Sequence, residues 1–227
     1  MIKIFTGLPG AGKSYKMAQT ILLALNRNAK WYEKTGTVRK VFSNLRLSPT
    51  IEEKFPNFIE YWWDPSQLVA LRDVDVFWDE IATHLDSTQW QNMSLEIKRW
   101  LQQHRKFGIE VYGTTQDFAM IDKSMRRLTS DLFHISKIIG SPDPSPTRPL
   151  PKRIWGICTV KELDPQTYDE EVSKQASGLP GFMWLDRNGI DVFDTRQEIK
   201  MGKYPPLNHI ERECISQGCK FHRIVHA

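Results

Sequence analysis

Residues 7–14 read Gly7-Leu8-Pro9-Gly10-Ala11-Gly12-Lys13-Ser14, and they fill every fixed position of the pattern G-x-x-x-x-G-K-[ST]. Upstream, Met1 to Thr6 (MIKIFT) alternates apolar and polar residues as a strand does. Downstream, Lys13 to Leu25 sets Met17, Ile21, Leu22 and Leu25 on one helical face. Strand, glycine turn and helix in that order form a phosphate cradle. The glycines let consecutive backbone N–H groups converge on an anion, and the helix N-terminus adds a favourable dipole. Lys13 then reaches the β- and γ-phosphates, and Ser14 is a ligand for Mg²⁺. The expected nucleotide contacts are Gly7, Leu8, Pro9, Gly10, Ala11, Gly12, Lys13, Ser14 and Tyr15, with ATP and Mg²⁺ as cofactors. A glycine turn that only opens a helix is the bland alternative.

A second element supplies acids. Val76-Phe77-Trp78-Asp79-Glu80 is an apolar strand ending in two carboxylates. Asp79 is expected to hold Mg²⁺ through water, and Glu80 to orient or deprotonate the attacking water. Taken alone, the pair reads equally as a solvated acidic turn; Asp73 and Asp75 are expected to be exposed or on the strand's edge. A third element is Thr114-Thr115-Gln116, closing the strand Ile109 to Thr115. In a parallel sheet the carboxyl ends share one edge, which places Gln116 as a sensor of the γ-phosphate or of the attacking water. A surface polar cap is the alternative.

The remaining pattern alternates strand and helix. Thr37 to Asn44, Phe58 to Trp62 and Leu132 to Ile139 read as strands. Asp64-Pro65-Ser66-Gln67 opens a helix, Ser94 to Phe107 is a helix stopped by Gly108, and Asp122 to Leu128 is a short basic helix. Asn26 to Gly36 reads as a polar, turn-rich excursion. The fold class is α/β: a P-loop NTPase with a mostly parallel sheet flanked by helices, followed by a smaller, β-rich C-terminal extension. The expected domains are 1–140, a proline-rich linker over 141–153 with five prolines in SPDPSPTRPLP, and an extension over 154–227. That extension holds a strand from Ile154 to Val160, a polar helical segment near 166–175, a hairpin turning at Asn188-Gly189, and a basic tail. In the tail, Cys214, Cys219, His222 and His226 have a composition zinc accepts, without the usual C-x₂-C knuckle; incidental residues are the competing reading.

The net charge is +4, which permits an anionic partner, DNA or a membrane surface, without requiring one. No stretch approaches the roughly 18–20 apolar residues of a membrane-spanning helix. With no leader ahead of the loop and three cysteines, the expectation is a cytoplasmic protein in a reducing compartment.

The order of these elements resembles the N-terminal ATPase domain of the zonula occludens toxin (Zot) family and related filamentous-phage assembly proteins. The residues that carry the resemblance are the phosphate loop, Lys40-Val41-Phe42-Ser43-Asn44, and Phe77-Trp78-Asp79-Glu80. They continue with Trp100-Leu101-Gln102-Gln103-His104-Arg105, Thr114-Thr115-Gln116, Ile121-Asp122 and Arg126-Arg127. The resemblance implies an additional-strand ATPase related to the HerA/FtsK motors, homo-oligomeric, serving virion assembly and extrusion at the host inner membrane. Its implied partners are phage coat or assembly proteins and inner-membrane proteins, with DNA possible, and it places the chain at the cytoplasmic face of that membrane. Such motors complete the site with a neighbour's arginine, for which Arg105, Arg126 and Arg127 are candidates; a solvated helix-face cation is the alternative for each. Family members continue into a transmembrane segment that is not found in this sequence. The competing functions are a DNA-translocating or packaging ATPase without an extrusion role, a small-molecule kinase, and a slow nucleotide switch.

Overall fold

The computed structural model describes residues 1–140, 156–168 and 180–185. Its strands are β1 (Ile2–Thr6), β2 (Val41–Ser43), β3 (Ile59–Tyr61), β4 (Asp75–Trp78), β5 (Glu110–Thr115), β6 (Asp131–Gly140), β7 (Gly156–Leu163) and β8 (Gly181–Leu185). Among the described residues they form one sheet in the order β3-β2-β4-β5-β1-β6-β7-β8. Strands β1 to β6 pair in parallel, whereas β7 and β8 are antiparallel additions at the β6 edge. Parallel neighbours need crossovers, and helices supply them on both faces.

Helix α1 (Lys13–Thr35) lies on one face and buries Met17, Ile21 and Leu25 against Phe5, Phe77, Tyr112 and Ile135. Helices α3 (Ala82–Leu85), α4 (Ser87–Asn92), α5 (Leu95–Gln103) and α6 (Lys123–Arg126) accompany the other face. There Trp62, Trp78, Trp100, Leu101 and Phe118 close over Ile2, Ile4, Val76 and Val111. Helix α2 (Pro49–Lys54) joins β2 to β3. Trp62 is 1% exposed and meets Trp78 edge-on at 4.9 Å, so it is a core residue.

Three local readings are corrected. The polar stretch from Asn26 onward continues α1 to Thr35, where Gly36 caps it in the left-handed conformation and donates its N–H to the Tyr32 carbonyl. Its polar residues have tertiary partners: Asn28 is buried and donates to Asp75 at 2.8 Å, and Tyr32 meets Phe58 edge-on. Asp75 is accordingly buried, fully enclosed by Arg27, Asn28 and Arg39. The helix opening at Asp64 is one 3₁₀ turn, Pro65–Leu68, with the expected capping box. The linker, the helical segment beyond Tyr168, the hairpin turn at Asn188-Gly189 and the Cys/His tail lie outside the described residues. Strand β7 hydrogen-bonds directly to β6, so the described part of the C-terminal extension continues the same sheet.

Candidate nucleotide site

The loop 7–12 joins the carboxyl end of β1 to the first turn of α1, at the edge where parallel strands end. Gly7, Gly10 and Gly12 all have positive φ. At Gly7, with φ +152°, an added Cβ would lie 2.3 Å from the Ile135 carbonyl oxygen of β6. The Lys13 ammonium is buried and donates to the carbonyls of Gly7 (2.7 Å) and Leu8 (3.2 Å). Burial pushes its pKa below the ordinary lysine value, opposed by the nearby Glu80 and Asp79 carboxylates.

Across β1 and β5, the end of β4 turns at Asp79 and Glu80. Glu80 adopts φ +50°, a left-handed conformation uncommon for residues other than glycine. Two side chains fix this turn, and neither was singled out as a site residue from sequence. Asn44, directly after β2, accepts the Asp79 N–H at 2.8 Å and donates to the Asp79 carbonyl at 3.0 Å. The Thr114 hydroxyl on β5 accepts the Glu80 N–H at 3.0 Å and donates to the Asp79 carboxylate. A polar residue closing an apolar strand, in VFSN and VYGTT, is the sequence signal that could have identified both.

Burial pushes the Asp79 carboxyl up to about 6, helped by Glu80 and opposed by the Thr114 hydrogen bond and Lys13. A carboxylate so poorly solvated is favoured in its charged form by a cation. With the Ser14 hydroxyl in the first turn of α1 it offers only oxygen donors, the kind Mg²⁺ prefers, so the residues present fit that ion.

Lys13, Asp79 and Glu80 therefore share one site. Gln116 is exposed at the same carboxyl edge, and its carbonyl accepts from Thr6 at 3.3 Å. Tyr15 is buried in α1 beneath the loop. Arg105 lies at the opposite, amino-terminal edge, donating to Ser130 at 3.3 Å beside the Met1 ammonium. Arg126 is half-buried on α6, its guanidinium over the Phe118 ring. Neither arginine is brought to the Lys13 site within this chain. His104 is buried at the C-terminal cap of α5, its Nδ1 2.7 Å from the Leu101 carbonyl.

A glycine cradle between β1 and α1, with an acidic strand end two strands away in a mostly parallel sheet, defines the P-loop NTPase fold. The family described as Zonular occludens toxin (Zot) matches residues 1–144, and the chain belongs to that family. The crystal structure of the N-terminal domain of zonular occludens toxin from Neisseria meningitidis superposes with a TM-score of 0.52 at 22% identity. That match covers 85% of this chain and 98% of the other. The genome packaging NTPase B204 of Sulfolobus turreted icosahedral virus 2, in complex with ATP-gammaS, is similar at a TM-score of 0.43 and 11% identity, over 63% of this chain and 76% of that one. A KaiC-like protein of Pyrococcus horikoshii is similar at 0.42 and 13%, over 81% and 88%. No curated protein matches the chain. No helix among the described residues is long and apolar enough to cross a membrane.

Proposed function

We propose that the chain is an ATP-binding and ATP-hydrolysing motor for filamentous phage virion assembly and extrusion, acting as a homo-oligomer at the cytoplasmic face of the host inner membrane. The observation that carries this reading is the convergence of Lys13, Asp79 and Glu80 at one sheet edge in a chain of the Zot family. The loop N–H groups and the Lys13 ammonium hold the phosphates, Lys13 exchanging the Gly7 and Leu8 carbonyls for phosphate oxygens. Ser14, and Asp79 through water, would hold Mg²⁺, which would neutralise charge on the phosphate oxygens. Glu80 takes the proton of the water that attacks the γ-phosphorus, and Gln116 orients that water. A neighbouring subunit contributes a cation, with Arg105 and Arg126 as the candidates. The partners are phage coat or assembly proteins and inner-membrane proteins, with DNA as a further candidate.

ATP turnover measured alone, with single-stranded DNA and with inner-membrane vesicles tests this. Turnover with vesicle association supports the extrusion motor. Stimulation by DNA without vesicle association favours the packaging motor instead. Phosphoryl transfer to an acceptor other than water sinks both.

A further inference from the structure

Beside the phosphate loop, a cavity of about 620 Å³ opens between α1 and the antiparallel edge of the sheet. Its walls include Tyr15 and Gln19 of α1, Phe133 of β6, Glu162 of β7, and Gly181 and Met183 of β8. Strand register fixes its height: Val160 pairs with Ile135, and Gly181 pairs with Val160. Ile135 is the residue whose carbonyl abuts Gly7. The cavity thus lies level with the loop, displaced sideways by two to three strand spacings, about 10–15 Å. Its near end is Tyr15, the residue following Ser14. Its volume falls in the range of small-ligand sites, and apolar surface from Phe133, Val160 and Met183 meets three polar side chains, Lys16, Gln19 and Glu162.

We propose that this cavity receives the purine nucleoside of the triphosphate held by the loop, with Glu162 and Gln19 taking the amino-bearing edge of the base. A carboxylate can only accept hydrogen bonds, and an amide both donates and accepts, so the pair suits an edge presenting an N–H donor. This inference rests on the nucleotide-binding reading above. Gly181 provides the room. An added Cβ there meets only the Val160 carbonyl oxygen, at an ordinary 3.7 Å, so the sheet tolerates a side chain that would enter the cavity.

The test is calorimetric titration of ATP, purine riboside triphosphate and inorganic tripolyphosphate. Gly181→Val should weaken ATP at least about tenfold, the effect of crowding a fitted site, while leaving tripolyphosphate unchanged. Glu162→Ala is at an exposed position that does not endanger folding, and it should abolish the preference for ATP over purine riboside triphosphate. Wild-type affinity for ATP in both variants overturns the inference, as does wild-type protein binding ATP no better than tripolyphosphate. Wild-type protein that binds neither ATP nor tripolyphosphate overturns the nucleotide reading itself.

Discussion

The Thr114 hydroxyl donates to the Asp79 carboxylate and, through the same oxygen, accepts the N–H of Glu80. One side chain on β5 thereby sets both the aim of the acid proposed to hold the metal and the left-handed backbone of the proposed base. Thr114→Val keeps the shape and removes both bonds. Leaving the Glu80 N–H without its acceptor costs about 1–3 kcal/mol, so turnover should fall by roughly 5- to 150-fold while ATP affinity changes little. Thr114→Ser should restore most of the rate. Equal loss in the serine and valine variants would show that shape, and not the hydroxyl, matters.

Lys13→Ala should abolish nucleotide binding, since its ammonium is the cation buried at the loop. Glu80→Gln should still bind ATP and lose hydrolysis, because the amide keeps the shape and cannot take a proton at neutral pH. Equilibrium binding and single-turnover kinetics separate the two, and normal turnover by the Glu80 variant would reassign the base.

Asp79 makes stability depend on pH in an unusual direction. Burial holds its folded carboxyl at about 6, above the ordinary aspartate value of 3.8, so between those values the folded state holds more protons than the unfolded one. Nucleotide-free protein should gain stability from this group as pH falls from about 7 towards 4, and Asp79→Asn should remove that gain and raise the melting temperature at pH 7. The expected increment is on the order of 1–3 kcal/mol. Thermal unfolding at pH 5 and pH 7.5 in low salt reads it, and an Asp79→Asn protein less stable than wild type at pH 7.5 would contradict it.

Asp75 is a structural carboxylate. It is fully buried and accepts from Arg39 at 3.0 Å, Arg27 at 2.8 Å and Asn28 at 2.8 Å, joining the middle of α1 to the start of β4. Asp75→Ala takes the shared carboxylate from both guanidinium groups, leaving Arg27 with Glu110 and Arg39 with the Val74 and Gly108 carbonyls, and should cost about 1.5–3 kcal/mol in urea unfolding. A loss below about 1 kcal/mol would mean that solvent takes over the network.

Gly7→Ala forces a Cβ against the Ile135 carbonyl oxygen and requires a φ of +152°, which L-residues rarely adopt. The loop must move off β6, so nucleotide affinity should collapse with most of the fold retained. Circular dichroism beside ATP titration checks this; unchanged affinity would show that the loop is not held by β6.

The sequence by itself determined the strand–loop–helix at residues 2–25 and the apolar strand ending in Asp79-Glu80, whereas the helix expected to run to Gly108 ends at Gln103. The first two are local choices, made by glycine φ freedom or side-chain periodicity within a few residues. Polar residues whose partners are distant were misread or passed over. Asn28 and Asp75 are 47 positions apart, and only their meeting turns a polar excursion into helix and an apparent surface acid into a buried hub. Asn44 and Thr114 are each 35 positions from Asp79, so their hold on the acidic turn exists only once β2, β4 and β5 lie side by side. The place of Arg105 was also a tertiary decision. It follows α5 to the amino-terminal edge of the sheet, because the connection into β5 starts there, a strand's length from the phosphate loop.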